Sequence, residues 1–160
     1  MKDPMLYYQD QIDLWVQERN AETDPGMIKM ADELIRELQI LNAEFQKVMF
    51  AYLVRGVGLT LKAKFAWAVL LPDATHPGKF RYQSFNETGF TGHSTADTAE
   101  EVVLEMFKDG YREVDDDVLE RLSVSETWQK GMMITDLISQ VNRGALSFDE
   151  ANRQYEELVA

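Results

Sequence analysis

Twenty-nine consecutive residues, Met27 to Arg55, contain neither glycine nor proline. Within them Ile28, Ala31, Ile35, Leu38, Asn42, Phe45, Met49 and Tyr52 alternate in steps of three and four, the a/d rhythm of a helical seam. Met27, Met30, Leu34, Leu41 and Val48 form a second row that widens the apolar stripe. Asp24-Pro25 supplies an N-cap followed by proline at the first helical position, and Gly56 and Gly58 supply a stop. At 1.5 Å per residue the helix is about 44 Å long, against a radius of gyration of about 15 Å for a globule of this size. It must span the molecule, project from it, or pack on a second copy.

The flanking sequence is read against that helix. Asp3-Pro4 opens a first helix with Met5, Tyr8, Ile12 and Trp15 on one face, and the polar link Asn20–Asp24 folds it back as an antiparallel hairpin with Trp15 between the helices. After Gly56 the period changes. Leu59 to Leu71 alternates, with Leu61, Ala63, Phe65, Trp67, Val69 and Leu71 on one side, which predicts a single strand. A turn-rich loop at Pro72–Gly78 leads to a second strand, Lys79–Phe85, with Phe80 and Tyr82 inward and Lys79, Arg81 and Gln83 outward. Phe90-Thr91 begins a short third strand. Thr98 with Glu101 forms a capping box for a helix that buries Val102, Val103, Met106 and Phe107 and ends at Asp109-Gly110. Asp115–Asp117 start a short helix, Ser123 with Glu126 reads as a second capping box, Gly144 stops that helix, and Ser147 caps the last.

These elements predict an α+β fold: an N-terminal antiparallel helical hairpin with one long helix, a small antiparallel sheet, and a C-terminal helical segment. The corresponding segments are residues 1–56, residues 57–122, which share a domain with the first, and residues 123–160. Met133 to Ala160, a helix, Gly-Ala-Leu-Ser, an acidic turn and a helix, resembles the short C-terminal hairpins appended to many bacterial proteins. The resemblance covers that segment alone and implies a helical hairpin with no activity attached.

Charge and composition limit the function. The 160 residues carry a net charge of −12 and no cysteine, which removes disulfides, thiolate catalysis and cysteine-based zinc sites. No stretch resembles a signal peptide or spans a bilayer, so a cytoplasmic protein is expected. Residues 97–126 hold eleven acids and three bases, whereas residues 55–81 hold five bases and one acid. The overall field disfavours non-specific nucleic-acid binding; the acidic block suits a protein partner or simply keeps the chain soluble.

Four groups of residues are candidates for function. Gly89–Thr98, with Gly92, His93, Ser94 and Thr95 between two glycines and a helix start, can hold a phosphate- or nucleotide-like anion, or be a tight turn before a capped helix. Lys79 and Arg81, with Lys62 and Lys64, form a basic sheet face that would assist. The seam residues Ile35, Leu38, Asn42, Phe45, Met49 and Tyr52 are the expected oligomer interface, with Asn42 setting register or turning outward. His76 and His93 would need a third ligand to hold a metal. No catalytic set, cofactor motif or metal site emerges. The leading expectation is a non-enzymatic acidic interaction protein, an inhibitor, adaptor or regulator of the kind phages and mobile elements encode, acting as a homo-oligomer on a protein partner. The alternative is a small-ligand binder using the Gly89–Thr98 segment and the basic strand face.

Overall fold

The computed structural model describes residues 2–160. The fold is α+β. A single 3-10 turn, Pro4–Leu6, precedes α1 (Tyr7–Ala21), and α2 runs from Pro25 to Arg55. The Asp24 carboxylate accepts from the backbone N–H groups of Gly26 and Met27 at 2.9 and 3.0 Å, satisfying donors that a helix start leaves free. Gly56, at φ +68°, ends α2. The 31 residues of α2 make it about 46 Å long, and α1 lies antiparallel along its first half.

Five strands follow: β1 (Thr60–Lys62), β2 (Trp67–Pro72), β3 (Phe80–Asn86), β4 (Gly89–Ala96) and β5 (Glu113–Val114). They form one antiparallel sheet in the order β4-β3-β2-β1-β5. The single strand expected over Leu59–Leu71 is two. The Ala63 N–H donates to the Ala66 carbonyl at 2.8 Å, and Thr60, Leu61 and Lys62 oppose Val69, Ala68 and Trp67. The reversal resets the alternation. Leu61 now shares a face with Ala68 and Leu70, and Trp67, Val69 and Leu71 take the other face, while Phe65 is left at the tip, 79% exposed. A run that is apolar at every position from Trp67 to Leu71 suits a strand covered on both sides.

One face of the sheet packs on α1, α2 and α3 (Ala99–Lys108). Phe45, Met49, Leu59, Leu61, Leu70, Met106 and Phe107 are fully buried there. The rings of Tyr8, Phe45 and Phe107 meet with centroids 5.2 to 5.6 Å apart. The Thr98 capping box forms as expected, with the hydroxyl accepting from the Glu101 N–H and the Glu101 carboxylate accepting from the Thr98 N–H. Tyr8 and Ile12 are the buried residues of α1, whereas Trp15 is half-buried. It lies where only two helices meet, too few to enclose an indole.

The other face is covered at one end by α4 (Val118–Ser123) and α5 (Glu126–Asn142), through Val69, Phe85, Val118 and Trp128. Ser125, not Ser123, caps α5: its hydroxyl accepts from the Trp128 N–H at 3.1 Å, and Ser123 is the last residue of α4. Where α5 crosses the β3–β4 turn the backbones touch. A Cβ on Gly131 would lie 1.7 Å from the Thr88 carbonyl oxygen. Gly144, at φ +75°, turns the chain into α6 (Phe148–Val159), capped by Ser147. In this final hairpin the side chains of Leu137 and Ala151 are buried and most others are open to solvent.

Candidate functional site

The segment Gly89–Thr95, expected as a ligand loop, is strand β4. Its glycines are strand residues: Gly92 opposes Ser84, and Gly89 closes the turn at φ +137°. Alternation then divides the expected site. Arg81 opposes Thr95 and Gln83 opposes His93, so these four share the half-covered face of the sheet. Ser94 opposes Tyr82, and Gly92 opposes Ser84, on the face that carries α3. Lys79 precedes β3 and pairs with Asp97 at 3.1 Å. The expected basic face disperses as well. Lys62 lies 5.8 Å from the Trp67 ring, and Lys64 stands over Phe65 at the hairpin tip.

Arg81, His93 and Thr95 remain together at the open end of that face. The Arg81 Nε is buried and has no hydrogen-bond partner. Thr95, opposite Arg81, leads to a further buried group in the Pro72–Gly78 loop. Asp73, just after β2, is one of two buried polar residues among the described residues. One carboxylate oxygen accepts from the Thr75 N–H, the Thr75 hydroxyl and the His76 N–H at 2.8 to 2.9 Å; the other accepts from the Thr95 hydroxyl at 2.6 Å. The Thr95 hydroxyl and the Thr75 N–H hold its carboxyl far below the usual carboxylate range. Asp73 thus staples the β2–β3 loop to β4. The Asp73-x-Thr75 spacing after Pro72 is the sequence trace of this turn.

The acidic block is partly structural. Asp115 accepts from the Trp67 ring N–H at 2.8 Å and from Arg121 at 3.0 Å. Asp116 holds Arg55 through two bonds of 2.9 Å. Asp109 accepts from the Tyr82 hydroxyl, and burial together with that carboxylate pushes the phenol up. Among the described residues no group of three His, Asp or Glu side chains is arranged to hold a metal ion, and no helix is long and apolar enough to cross a membrane.

The seam of α2 is occupied within the chain. Ile35, Phe45 and Met49 are buried, Leu38 and Tyr52 pack against the main core, and the Tyr52 hydroxyl donates to Glu100 at 3.2 Å. Asn42 donates to Gln9 of α1 at 3.4 Å. The physical reason is α3, which lies across the Phe45–Tyr52 end and supplies Met106 and Phe107. What stays open is the outer side of α2. Phe50, Leu53 and Val54 are 69, 63 and 65% exposed, and Val57 follows just past the helix end. Leu53 and Val54, three and four residues from Phe50, share one apolar stripe with it; Val57 lies beyond the Gly56 stop, and Ile40 is exposed further along the helix. Arg55 and Asp116 rim this ridge. Compared with family models, curated proteins and solved structures, the chain matches none, so its surfaces are read from their own chemistry.

Proposed function

We propose that the chain is a non-enzymatic acidic interaction protein, an inhibitor, adaptor or regulator, whose α2 ridge engages a protein partner. The observation that carries this reading is the exposure of Phe50, Leu53 and Val54 on one stripe of α2, with Val57 exposed just past the helix end. Single exposed apolar residues are ordinary, but a contiguous group with a charged rim marks an interaction surface. The net charge of −12 favours a basic partner and fast, salt-sensitive association. By analogy alone, the reading includes small acidic antagonists of the kind phages and mobile elements encode.

The test is affinity capture from host lysate with wild-type protein beside the double variant Phe50→Asp/Val54→Asp, each also measured by native mass spectrometry. A partner retained in fixed stoichiometry by the wild type and lost from the variant, at unchanged melting temperature, is expected. Equal capture by both proteins would rule the ridge out. A wild type that dimerises through these residues and captures nothing else would make the ridge a self-association surface.

A second reading draws on the Arg81 Nε, buried without a partner next to Thr95 and His93. A phosphate or carboxylate at this end of the sheet would supply the missing acceptor. It predicts a thermal shift with inorganic phosphate or a nucleotide that disappears in Arg81→Ala. No shift across a nucleotide and metabolite panel would remove this reading.

A further inference from the structure

The two edges of the sheet are treated differently. At one edge β5 is two residues long, bordered by Arg112 and Asp115, and it is tied to β1 by bonds from the N–H groups of Arg112 and Asp115 to the Lys62 and Thr60 carbonyls. Short length and charge are the usual means by which a sheet edge is kept from pairing further. At the other edge β4 is eight residues, Gly-Phe-Thr-Gly-His-Ser-Thr-Ala, with no Lys, Arg, Asp, Glu or Pro. Thr91, His93 and Thr95 are exposed along it. Among the described residues no backbone group of Thr91–Ala96 bonds to anything outside the β3 ladder except where side chains of β3 reach the Gly92 carbonyl. One irregularity, the register shift at Ser84/Phe85, lies toward the Gly89 end and leaves the remainder regular. At about 3.3 Å per residue the open edge Thr91–Ala96 is about 20 Å long.

We propose that the outer edge of β4 accepts an extended basic segment of a protein partner as a sixth strand of the sheet. Main-chain hydrogen bonds would supply the affinity, and alternate side chains the selectivity. On the α3 face the incoming residues would run beside the exposed Glu105 and Asp109, the latter fixed over β3 by the Tyr82 hydroxyl. Glu87 and Asp97, the latter paired with Lys79, stand just beyond the two ends of the strand. On the other face the incoming residues would run beside the exposed His93 and Thr95, and at the Gly89 end meet Phe90, 44% exposed, and Met132, whose sulfur lies against Gly89. The fitting segment therefore alternates basic residues with uncharged ones that are apolar at the Phe90 end. Charge also decides between occupants. A second copy pairing β4 to β4 would bring two acidic flanks together on chains of net charge −12, whereas a basic segment is drawn to them.

This inference rests on the reading of the chain as an interaction protein but uses a surface separate from the α2 ridge, so the two fail independently. The probe is an acetylated, amidated, fluorescein-labelled Lys-Val octapeptide, with the Glu-Val octapeptide as control. The folded full chain should bind the first and not the second by fluorescence anisotropy. Amide exchange in Thr91–Ala96 should slow by about tenfold or more on binding. Glu105→Lys should weaken binding by about tenfold at unchanged melting temperature, while Phe50→Asp/Val54→Asp should leave peptide binding intact. Absence of Lys-Val binding would overturn the inference, as would binding with unchanged exchange at Thr91–Ala96. Protection of the same amides that rises with protein concentration in the absence of peptide would also overturn it, by assigning the edge to a second copy.

Discussion

On the α1–α3 side of the sheet, aromatic and aliphatic residues from three helices and three strands leave no access to solvent: Phe45, Phe107, Met106, Leu61 and Leu70 are fully buried. On the α4–α5 side four residues, Val69, Phe85, Val118 and Trp128, make a smaller core at one end, and the other end is left to Arg81, Gln83, His93 and Thr95. The first side has the area to carry global stability. The second attaches a helical hairpin to the sheet through Trp128, Met132 and the backbone contact at Gly131. Regions with few buried apolar contacts open first, so the open edge strand, the half-covered face and the projecting hairpin gather on the less stable side.

The largest effect that separates the two sides is expected from Phe45→Ala, which removes a fully buried ring shared with Tyr8 and Phe107. It should cost about 3–5 kcal/mol in urea denaturation and lower every probe of folding together. Trp128→Ala should cost less, nearer about 3 kcal/mol. Native-state hydrogen exchange should assign that loss to α4–α6 and leave α2 and α3 protected. Equal effects on both halves would mean that the two cores open as one unit.

Gly131→Ala tests the backbone contact between α5 and Thr88. A methyl placed 1.7 Å from a carbonyl oxygen must push the helix off the turn, at about 1–3 kcal/mol. The change should appear as faster exchange in α5 and α6 and a shift in Trp128 fluorescence. Asp73→Asn gives the smallest expected effect, and its sign depends on pH. The Asp73 carboxyl titrates below its unfolded value near about 4, so the unfolded chain binds the extra proton. Its contribution is therefore present above about pH 4 and fades as acid is added below that. The melting-temperature gap between wild type and variant should be widest near neutrality and narrow toward about pH 3. A gap constant with pH would mean that the ionised form of Asp73 is not what holds the β2–β3 loop.

Features written in local chemistry were legible in the sequence. Asp24-Pro25, Gly56, the Thr98 capping box, Ser147 and the stripe Val102–Phe107 all act within a turn or two of the residues that signal them. Features fixed by distant chain were not. The reversal at Ala63–Ala66 carries no Gly, Pro or Asn, and the alternation of apolar residues runs through it in phase, so one long strand fitted equally well. Ser123 and Ser125 both satisfied the N-cap preference, and only the approach of Trp128 to Phe85 distinguishes them. The role of Gly131 is set by Thr88, far away along the chain. Gly89 and Gly92 argued for a loop because strand β4 depends on β3 for its partners. Asp73 became conspicuous only when Thr95 arrived beside it. On α2 the heptad seam marks residues that α1 and α3 cover, while Phe50, Leu53 and Val54 lie off that seam and stay open, as do Met27, Met30 and Ile40 nearer the start of the helix.

The reversal at Ala63–Ala66 makes Lys64-Phe65 a natural handle. Each of β1 and β2 takes its register from its ladder partners rather than from the length of the tip, so residues added between Lys64 and Phe65 would lengthen an exposed loop without exchanging the two faces of the sheet. An insertion within β3 would exchange them from that point on. A short tag or a donor fluorophore at the tip would therefore report on binding at α2 or β4 while leaving both surfaces unaltered.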